Sequence, residues 1–284
     1  MGNVWDAMKK HQAEQEAAAA QAPPETADAS SPAAAPGSPD TGVPPPRETG
    51  STPVPQSPPA SSNGYADVLV AHHDRGGRIT EQYRALRTHL LAQHADERFC
   101  VLITSGEAEE GKSVTCLNLA LTLAERRERT TVIVDGDLRR GRIAEMLAGQ
   151  SSPGLADVLR GQRDIRDVLQ TTVYPNLFLV PAGQARRDEA ADLIGRPEVG
   201  EAVALLRRQF DYVLLDSPPA NAISDACILG GAAGEALLVM RMNRTPRDAV
   251  DRAIRLLNAS NVKVIGMVLT HQKYYIPNYL YRYS

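Results

Sequence analysis

An α/β fold is predicted, with a mostly parallel sheet that is covered by helices on both faces and is preceded by a disordered linker. From residue 65 onwards, short runs rich in Val, Ile and Leu alternate with helical segments, which is typical of parallel strands joined by crossover helices. The runs are continuously apolar, as expected of strands that are covered on both faces. Before them, residues 21–64 contain 12 of the 20 prolines, and such a stretch cannot bury enough apolar surface to offset its chain entropy.

The helices and strands can be placed in chain order. The segment RITEQYRALRTHLLAQ predicts a helix, because its apolar side chains recur at helical spacing on one face. That face consists of Ile79, Tyr83, Leu86 and Leu90. The predicted strands follow as FCVLITS, TTVIVD, NLFLVP, DYVLLD, EALLVMR and VKVIGMVLT. The helices predicted between them include GKSVTCLNLALTLAERR, VGEAVALLRRQF and TPRDAVDRAIRLLNAS.

The chain divides by composition into four predicted segments. These are a short helical peptide over residues 1–20, a Pro/Ala-rich linker over 21–64, a folded domain over 65–273 and a tyrosine-rich tail over 274–284. Five of the nine tyrosines lie in the tail, at Tyr274, Tyr275, Tyr279, Tyr281 and Tyr283. Taken alone, so uneven a distribution fits an aromatic packing strip as well as a chemical role.

Composition excludes several classes of protein. The net charge of −3 provides no basic field for nucleic acid. The three cysteines form no CxxC pair, which argues against a disulfide framework or a thiolate metal site and fits a reducing cytoplasm. The first residues lack the apolar core of a signal peptide, and no run approaches the roughly 18 apolar residues of a membrane helix. We therefore expect a cytoplasmic chain that does not itself span a membrane.

The segment GEAEEGKS follows the first predicted strand and opens the next helix, which is the context of a phosphate-binding P-loop. Its glycines, Gly106 and Gly111, allow backbone N–H groups to converge on phosphate oxygens at a helix N-terminus. Lys112 then places a positive charge at the β- and γ-phosphates, and the Ser113 hydroxyl can bind Mg²⁺. The residues expected to contact ATP are Gly106, Glu110, Gly111, Lys112, Ser113 and Val114.

Three glutamates, Glu107, Glu109 and Glu110, lie within this loop. A carboxylate that pointed inward would repel a bound triphosphate at close range. We therefore expect all three side chains to face solvent, where one of them could contact a neighbouring subunit.

Carboxylates follow two further predicted strands. In VIVDGDLRR, Asp135 and Asp137 are two residues apart, so their side chains share one face of an extended segment and are expected to aim at the phosphates. In YVLLDSPP, Asp216 follows four apolar residues, the arrangement that places a Walker-B carboxylate near Mg²⁺. Asp-Gly is also common at ordinary strand-end turns, and one Asp after a strand is weak evidence by itself. The three motifs in this order indicate a site that hydrolyses ATP or transfers its phosphoryl group.

Together these motifs resemble those of the bacterial tyrosine kinases (BY-kinases), which regulate capsule and exopolysaccharide synthesis. That family is marked by a P-loop, by apolar residues followed by D-x-D-x-R, and by apolar residues followed by D-x-x-P; here they read GEAEEGKS, VIVDGDLR and VLLDSPP. It also carries an E-x-x-R-x-x-R helix used in ring assembly, here EQYRALR with Glu81, Arg84 and Arg87. A C-terminal tyrosine cluster completes the resemblance, which covers about residues 65–284.

The resemblance implies an ATP-dependent protein-tyrosine autokinase that uses Mg²⁺. Lys112 would bind the phosphates. Ser113, Asp137 and Asp216 would place Mg²⁺ directly or through water. Asp135 would be the base that orients the tyrosine hydroxyl, a group whose ordinary pKa near 10 makes it a poor nucleophile at neutral pH. The substrates would be the tail tyrosines, phosphorylated in trans within a homo-oligomeric ring: Tyr274, Tyr275, Tyr279, Tyr281 and Tyr283.

The resemblance also implies partners. Many family members are fused to a transmembrane segment, and no such segment is found in this sequence. It therefore resembles the split arrangement, in which a separate transmembrane activator of the polysaccharide co-polymerase type recruits the kinase to the inner face of the plasma membrane. A tyrosine phosphatase and other protein substrates are further expected partners, and nucleic acid is not expected to be one.

Two positions depart from the family pattern. The residue before Glu110 is often glycine in the family, and here it is Glu109, which would be strained if the loop needs a positive φ. Thr270 stands where related proteins often have an Asn that contacts adenine. Recognition of the base is therefore less well defined by the sequence than binding of the phosphates.

Two alternatives to this interpretation remain open. A Min/Par-type positioning ATPase shares the fold and the P-loop, but its loop carries an additional lysine where this sequence has Glu107. Its membrane tether is an amphipathic C-terminal helix, whereas this tail contains Pro277 and has no helical apolar stripe. The tail could also form an aromatic face that packs on another subunit or on a membrane, because Tyr279, Tyr281 and Tyr283 alternate with Leu280 and Arg282.

Overall fold

Seven strands form a central sheet in a computed structural model of the protein, which describes residues 64–94 and 98–272. They are β1 (Phe99–Ser105), β2 (Thr131–Asp135), β3 (Gln170–Thr171), β4 (Leu177–Val180), β5 (Tyr212–Asp216), β6 (Glu235–Arg241) and β7 (Lys263–Thr270). Their order across the sheet is β3-β4-β2-β5-β1-β6-β7, and each neighbouring pair is parallel except β3 with β4. The mostly parallel sheet predicted from the apolar runs is therefore confirmed.

Helices connect these strands. They are α1 (Val70–His73), α2 (Arg78–Gln93), α3 (Lys112–Leu123), α4 (Ile143–Met146), α5 (Leu155–Leu159), α6 (Ala190–Ile194), α7 (Glu198–Gln209), α8 (Asp225–Ala233) and α9 (Arg247–Ala259), with a 3₁₀ helix over Ile165–Val168. The helices over α4, α5 and α6, and the short edge strand β3, were not predicted. Each has five residues or fewer, too few for a periodic pattern to be recognised.

Two separate apolar cores lie on the opposite faces of the sheet. On β1, Cys100 and Leu102 enter one core, whereas Val101 and Ile103 enter the other, as the alternation of side chains along a strand requires. Helix α7 packs on the first face and helix α3 on the second. Because both faces are covered, all seven residues of β1 are buried, which explains its continuously apolar sequence.

Helix α2 has the predicted bounds, but its predicted apolar face is covered only in part. Leu90 is 2% exposed, whereas Ile79 near the start of the helix is 51% exposed. The helix that was predicted is therefore present, and its apolar face is buried at Leu90 but not at Ile79. Helical spacing shows which residues share a face, but it does not show how far the neighbouring layer extends.

The described residues all belong to one compact unit. The N-terminal peptide, the linker up to residue 63 and the tail from residue 273 lie outside them, so the predictions for those segments stay predictions. In the part of the chain that the structure describes, no helix combines the length and the apolar character needed to cross a membrane.

Candidate active site

The three predicted motifs meet at one edge of the sheet. Strands β2, β5 and β1 are adjacent and parallel, so their carboxyl ends lie side by side. The register pairs Asp216, the last residue of β5, with Ile103 on β1 and with Asp135 on β2. A cleft of about 150 Å³ opens at this edge, lined by the P-loop and by the segment after β2. Carboxyl ends of parallel strands are where such sheets bind ligands.

The P-loop turns sharply where α3 begins. Gly111, the N-cap of α3, has a φ of 92°, a left-handed conformation that glycine adopts without steric cost. A Cβ at this position would also lie 3.4 Å from the Thr270 side chain at the end of β7. Lys112, Ser113 and Val114 follow directly and line the cleft with Gly111. Gly106 lies at the other end of the loop, outside the residues that line the cleft.

Side chains from all three motifs come together at the head of the cleft. Lys112 Nζ lies 3.7 Å from Asp137 Oδ2. Ser113 Oγ donates a 2.6 Å hydrogen bond to Asp216 Oδ2, and Lys112 Nζ lies 3.3 Å from the same hydroxyl. The residues predicted to bind phosphate and Mg²⁺ therefore form one connected polar group.

The carboxylate oxygen Oδ1 of Asp216 is suitably placed to bind a cation. The residue is 2% exposed, and its Oδ1 has no hydrogen-bond partner among the described residues. A buried polar atom of this kind is costly unless another group or ion satisfies it. Ser113 Oγ lies on the same carboxylate, and hydroxyl and carboxylate oxygens are ligands that suit Mg²⁺. The residues present thus fit the predicted ion.

Further ligands for such an ion would have to come from a nucleotide and from water. Within residues 64–94 and 98–272, no group of three or more His, Cys, Asp or Glu residues could hold a metal. Mg²⁺ usually keeps several waters and binds through one or two carboxylates together with substrate phosphates. Ser113 and Asp216 could supply the protein share of such a ligand set.

Burial changes the titration of Asp216. Removal from water raises its pKa to about 6, against the opposing effects of the Lys112 charge and the Ser113 hydrogen bond. Because this value exceeds the ordinary 3.8, the folded chain binds more protons than the unfolded chain between the two values. The contribution of protonated Asp216 to the free energy of unfolding is fully present below about pH 4 and is lost as the pH rises through about 6.

We expect the free energy of unfolding of the wild type to fall more steeply than that of Asp216→Asn between about pH 4 and about pH 7. Asn cannot ionise, yet its amide oxygen can still accept the Ser113 hydrogen bond. The substitution removes the raised Asp216 pKa and also the Asp216 charge that helps to raise the pKa of Asp135, so both effects weaken the pH dependence of the variant. Urea unfolding of both proteins across the pH range measures the difference, and parallel pH profiles would contradict the assignment.

Asp135 does not face the cleft. It is fully buried; its Oδ1 accepts a 3.2 Å hydrogen bond from the Asp137 N–H and its Oδ2 a 3.0 Å hydrogen bond from the Ile143 N–H. Burial, followed by the Asp216 charge, raises the pKa of Asp135 to about 8. The expectation that both aspartates aim at the phosphates was wrong for Asp135. Strand β2 ends at this residue, so the alternation of an extended segment does not continue to Asp137, which does line the cleft.

Glu110 turns inward, although all three glutamates of the loop were expected to face solvent. It is 2% exposed; its Oε2 accepts a 2.9 Å hydrogen bond from the Glu107 N–H, and its Oε1 accepts one from the Thr245 hydroxyl. Thr270 Oγ1 donates a 2.7 Å hydrogen bond to the Glu110 carbonyl. The prediction was wrong because these local donors satisfy the carboxylate. Glu107 and Glu109 are exposed as expected.

Glu109 carries the strain anticipated for its position, because its φ is 63°. Its side chain lies 3.7 Å from Arg244 in an exposed ion pair of small expected value. We expect Glu109→Gly to raise the free energy of unfolding by about 0.5–1 kcal/mol, measured by urea unfolding. Glu109→Ala is the matched control, since it loses the same ion pair and keeps the strained backbone. Equal stability of the two variants would show that the strain is absent.

Two arginines that were not predicted, Arg140 and Arg142, also line the cleft. The arginine of the D-x-D-x-R pattern, Arg139, points elsewhere. Its Nη1 donates a 2.8 Å hydrogen bond to the Arg187 carbonyl, and its Nη2 lies 3.3 Å from Asp225 at the start of α8. The available signal was the basic run LRRGR directly after the strand end, of which the motif includes only the first arginine.

The residues predicted to assemble a ring interact within the chain. On α2, Arg84 binds Glu81 and also Glu125, which follows α3. Arg87 Nη1 lies 2.8 Å from Oε2 of the same Glu125. The Glu81 side chain remains 61% exposed. Ring assembly through this helix stays a prediction, as does phosphorylation of the tail tyrosines, which lie outside the described residues.

The known proteins that are similar to this chain in sequence include tyrosine-protein kinases. No protein-family model matches the chain. The tyrosine-protein kinase Wzc of Salmonella typhimurium is 30% identical over 190 residues, which are 66% of this chain and 26% of that protein. The tyrosine-protein kinase CpsD of Streptococcus agalactiae is 29% identical over 197 residues, which are 69% of this chain and 84% of that protein.

A solved structure agrees with these relatives. The kinase domain of the Escherichia coli tyrosine kinase ETK superposes with a TM-score of 0.67 at 25% identity, over 74% of this chain and 83% of that one. These relatives and the ETK domain support placing the chain with the bacterial tyrosine kinases. The chain spans about a quarter of the length of the first curated relatives that it matches.

The fold is also shared with positioning ATPases. The cell division ATPase MinD of Pyrococcus furiosus superposes with a TM-score of 0.54 at 25% identity, over 64% of this chain and 76% of that one. This likeness reflects the architecture common to P-loop ATPases. The BY-kinase assignment rests on the sequence relatives together with the ETK domain.

Proposed function

We propose that this chain is an ATP-dependent protein-tyrosine kinase that phosphorylates the tyrosine cluster of its own tail. The observation that carries the proposal is the Ser113–Asp216 hydrogen bond, with Lys112 next to it on the P-loop. Beside it lies Asp216 Oδ1, which has no hydrogen-bond partner in the part of the chain that the structure describes. This arrangement supports binding of Mg²⁺ with a nucleoside triphosphate. The likeness to the BY-kinases supports tyrosine as the acceptor, and the five tyrosines of the tail supply it.

Each residue of the polar group has a role that follows from its position. Lys112 stabilises negative charge on the β- and γ-phosphate oxygens during transfer. Ser113 and Asp216 would hold Mg²⁺, and Asp137 would contribute to the same ion directly or through water. Mg²⁺ bound there would neutralise phosphate charge and fix the orientation of the phosphates.

In the transfer, the tyrosine oxygen forms a bond to the γ-phosphorus while the bond from that phosphorus to the bridging oxygen breaks, and ADP leaves. The hydroxyl proton passes to a carboxylate. Asp135 is the proposed base, but its two oxygens are engaged by the N–H groups of Asp137 and Ile143. This role therefore requires the turn after β2 to release one of those hydrogen bonds. Asp137, which lines the cleft, is the other carboxylate available in that turn.

We propose that transfer occurs between subunits of a homo-oligomeric ring assembled through α2, whose exposed Glu81 could contact a neighbour. A Lys112→Met chain that keeps its tail is mixed with an active chain that lacks residues 273–284, in the presence of Mg²⁺ and ATP. We expect phosphate on the Lys112→Met chain after mixing and none when that chain is incubated alone. An unmodified tail after mixing would exclude transfer in trans.

In the cell, the kinase would regulate the synthesis and export of capsular or extracellular polysaccharide. A separate transmembrane activator of the polysaccharide co-polymerase type would recruit it to the inner face of the plasma membrane, and a tyrosine phosphatase would reverse the modification. The likeness to the BY-kinases supports these roles. Replacing the native gene by the Lys112→Met form should change the amount or chain length of the polysaccharide; an unaltered polysaccharide would argue against them.

The alternative function is that of a Min/Par-type ATPase acting as a nucleotide-gated switch. The fold shared with MinD is compatible with this alternative. The fate of the γ-phosphoryl group separates the two functions. With labelled ATP and Mg²⁺, a kinase retains label on the protein, whereas a switch releases it as inorganic phosphate and leaves the chain unmodified. Label that appears only in solution would favour the switch.

A further inference from the structure

Arg140 and Arg142 are exposed and line the cleft together with the P-loop residues Lys112 and Ser113. Neither guanidinium has a hydrogen-bond or ion-pair partner within residues 64–94 and 98–272. The adjacent Arg139 is held by Arg187 and Asp225. Two arginines without partners beside a phosphate-binding loop indicate a site for a further anion.

The backbone fixes the place of these two arginines. Gly141 between them has a φ of 49°, and a Cβ on it would lie 2.9 Å from the Ala182 Cβ. The N–H groups of Arg140 and Gly141 both donate to the Asp137 carbonyl, at 3.0 and 2.8 Å. The turn that places Asp137 at the head of the cleft thus also places both arginines along the cleft.

Carboxylates of the cleft are already engaged by other groups. Asp137 lies near Lys112, Asp216 accepts the Ser113 hydrogen bond, and the Glu109 side chain lies 3.7 Å from Arg244. Neither arginine of the pair is the contact partner of any of these three carboxylates. Guanidinium groups bind phosphoryl oxygens in paired hydrogen bonds, which makes a phosphate monoester a suitable ligand.

We propose that Arg140 and Arg142 form a phosphotyrosine subsite, which holds a modified tyrosine of the tail while another tyrosine is phosphorylated. The proposal rests on the kinase function proposed above. Residues 273–284 contain no Asp or Glu but include Lys273 and Arg282, so an unmodified tail is repelled by the arginine pair. Each phosphate adds a charge of about −1.5 to −2, which converts this repulsion into attraction.

The spacing of the tyrosines suits such a subsite. Tyr279, Tyr281 and Tyr283 are each two residues apart, which is about 6.6 Å in an extended segment. A phosphotyrosine held by the arginine pair would keep the next tyrosine close to the phosphates at the cleft head. The first phosphate on a tail should therefore accelerate addition of the second.

Peptide binding in the presence of Mg²⁺ and ADP tests the subsite, because no phosphoryl group can then be transferred. Fluorescence anisotropy compares two labelled peptides of residues 273–284, one unmodified and one phosphorylated on Tyr281, on the full-length protein. We expect the phosphopeptide to bind at least about tenfold tighter. The double variant Arg140→Ala/Arg142→Ala should lose this preference. The matched control Arg207→Ala/Arg208→Ala, which removes two exposed arginines near the end of α7, should keep it.

Equal binding of the two peptides, or an undiminished preference in the Arg140→Ala/Arg142→Ala variant, would overturn the proposal. A second arm measures the affinity for Mg²⁺–ATP, which we expect to change by less than about twofold in that variant. If the variant lost as much affinity for ATP as for the phosphopeptide, the arginines would be part of the nucleotide site. That result would also overturn the proposal. Failure of the kinase function is recognised separately, by a tail that stays unmodified when the wild type is incubated with Mg²⁺ and ATP.

Discussion

Lys112→Met should lower tyrosine phosphorylation of the tail by at least about 10²–10³-fold, the cost of removing one donor that stabilises transition-state charge. The ammonium group lies 3.7 Å from Asp137 and 3.3 Å from the Ser113 hydroxyl. Without it, Asp137 and Asp216 would face the β- and γ-phosphates with no opposing charge on the loop. Methionine keeps most of the length of the side chain, so the loss can be attributed to charge. Phosphotyrosine formed per minute in the purified protein measures the effect.

Lys263→Met is the matched control, because Lys263 is exposed at the start of β7, at the sheet edge opposite the carboxyl ends of the strands. It should transfer phosphate at the wild-type rate. If Lys112→Met retained more than about a tenth of wild-type activity, the P-loop would not be the phosphate site that the geometry assigns.

Gly136→Ala should separate β2 from β5 at the site and lower both stability and activity. A Cβ on Gly136 would lie 2.6 Å from the Asp216 carbonyl oxygen and 2.6 Å from Leu229 Cδ1. The Gly136 N–H donates a 2.9 Å hydrogen bond to that same carbonyl. Overpacking and loss of this hydrogen bond should cost about 2–4 kcal/mol of unfolding free energy. Displacement of Asp137 relative to Asp216 should slow transfer by about 10²-fold.

Gly200→Ala is the control for this substitution. Gly200 lies within α7 and has no atom within 4 Å of an added Cβ, so alanine there should stabilise the protein by about 0.5–1 kcal/mol. Urea unfolding and the rate of phosphotyrosine formation are measured on both variants. A Gly136→Ala protein that was as stable and as active as the wild type would show that the ends of β2 and β5 are not closely held.

The fold and the location of the site could be predicted because their signals are local in sequence. An apolar run predicts a buried strand by itself, and GEAEEGKS predicts a phosphate-binding turn by itself. The parallel order of the strands then brings Lys112, Asp137 and Asp216 to one edge without further information. The short elements between β2 and β4 could not be predicted, because they are stabilised by packing on the sheet rather than by a periodic pattern.

The orientations of individual carboxylates depend on partners that are distant along the chain. Glu110 is buried because its Oε1 meets Thr245, which is 135 positions away, and its carbonyl meets Thr270, which is 160 positions away. Asp135 is turned from the cleft by the Ile143 N–H, eight positions further along, after the strand has ended. Charge repulsion considered within one motif predicted the opposite for Glu110. Tertiary contacts therefore decide the electrostatics of this site.

Mass spectrometry of the purified full-length protein after incubation with Mg²⁺ and ATP tests the central claim most directly. The geometry of the cleft and the tyrosines of the tail predict phosphate on one or more of the following residues in the wild type: Tyr274, Tyr275, Tyr279, Tyr281 and Tyr283. The Lys112→Met protein should carry no phosphate at these positions. ATP consumption with an unmodified tail, even with an activating partner present, or phosphate confined to residues outside 274–284 would contradict it.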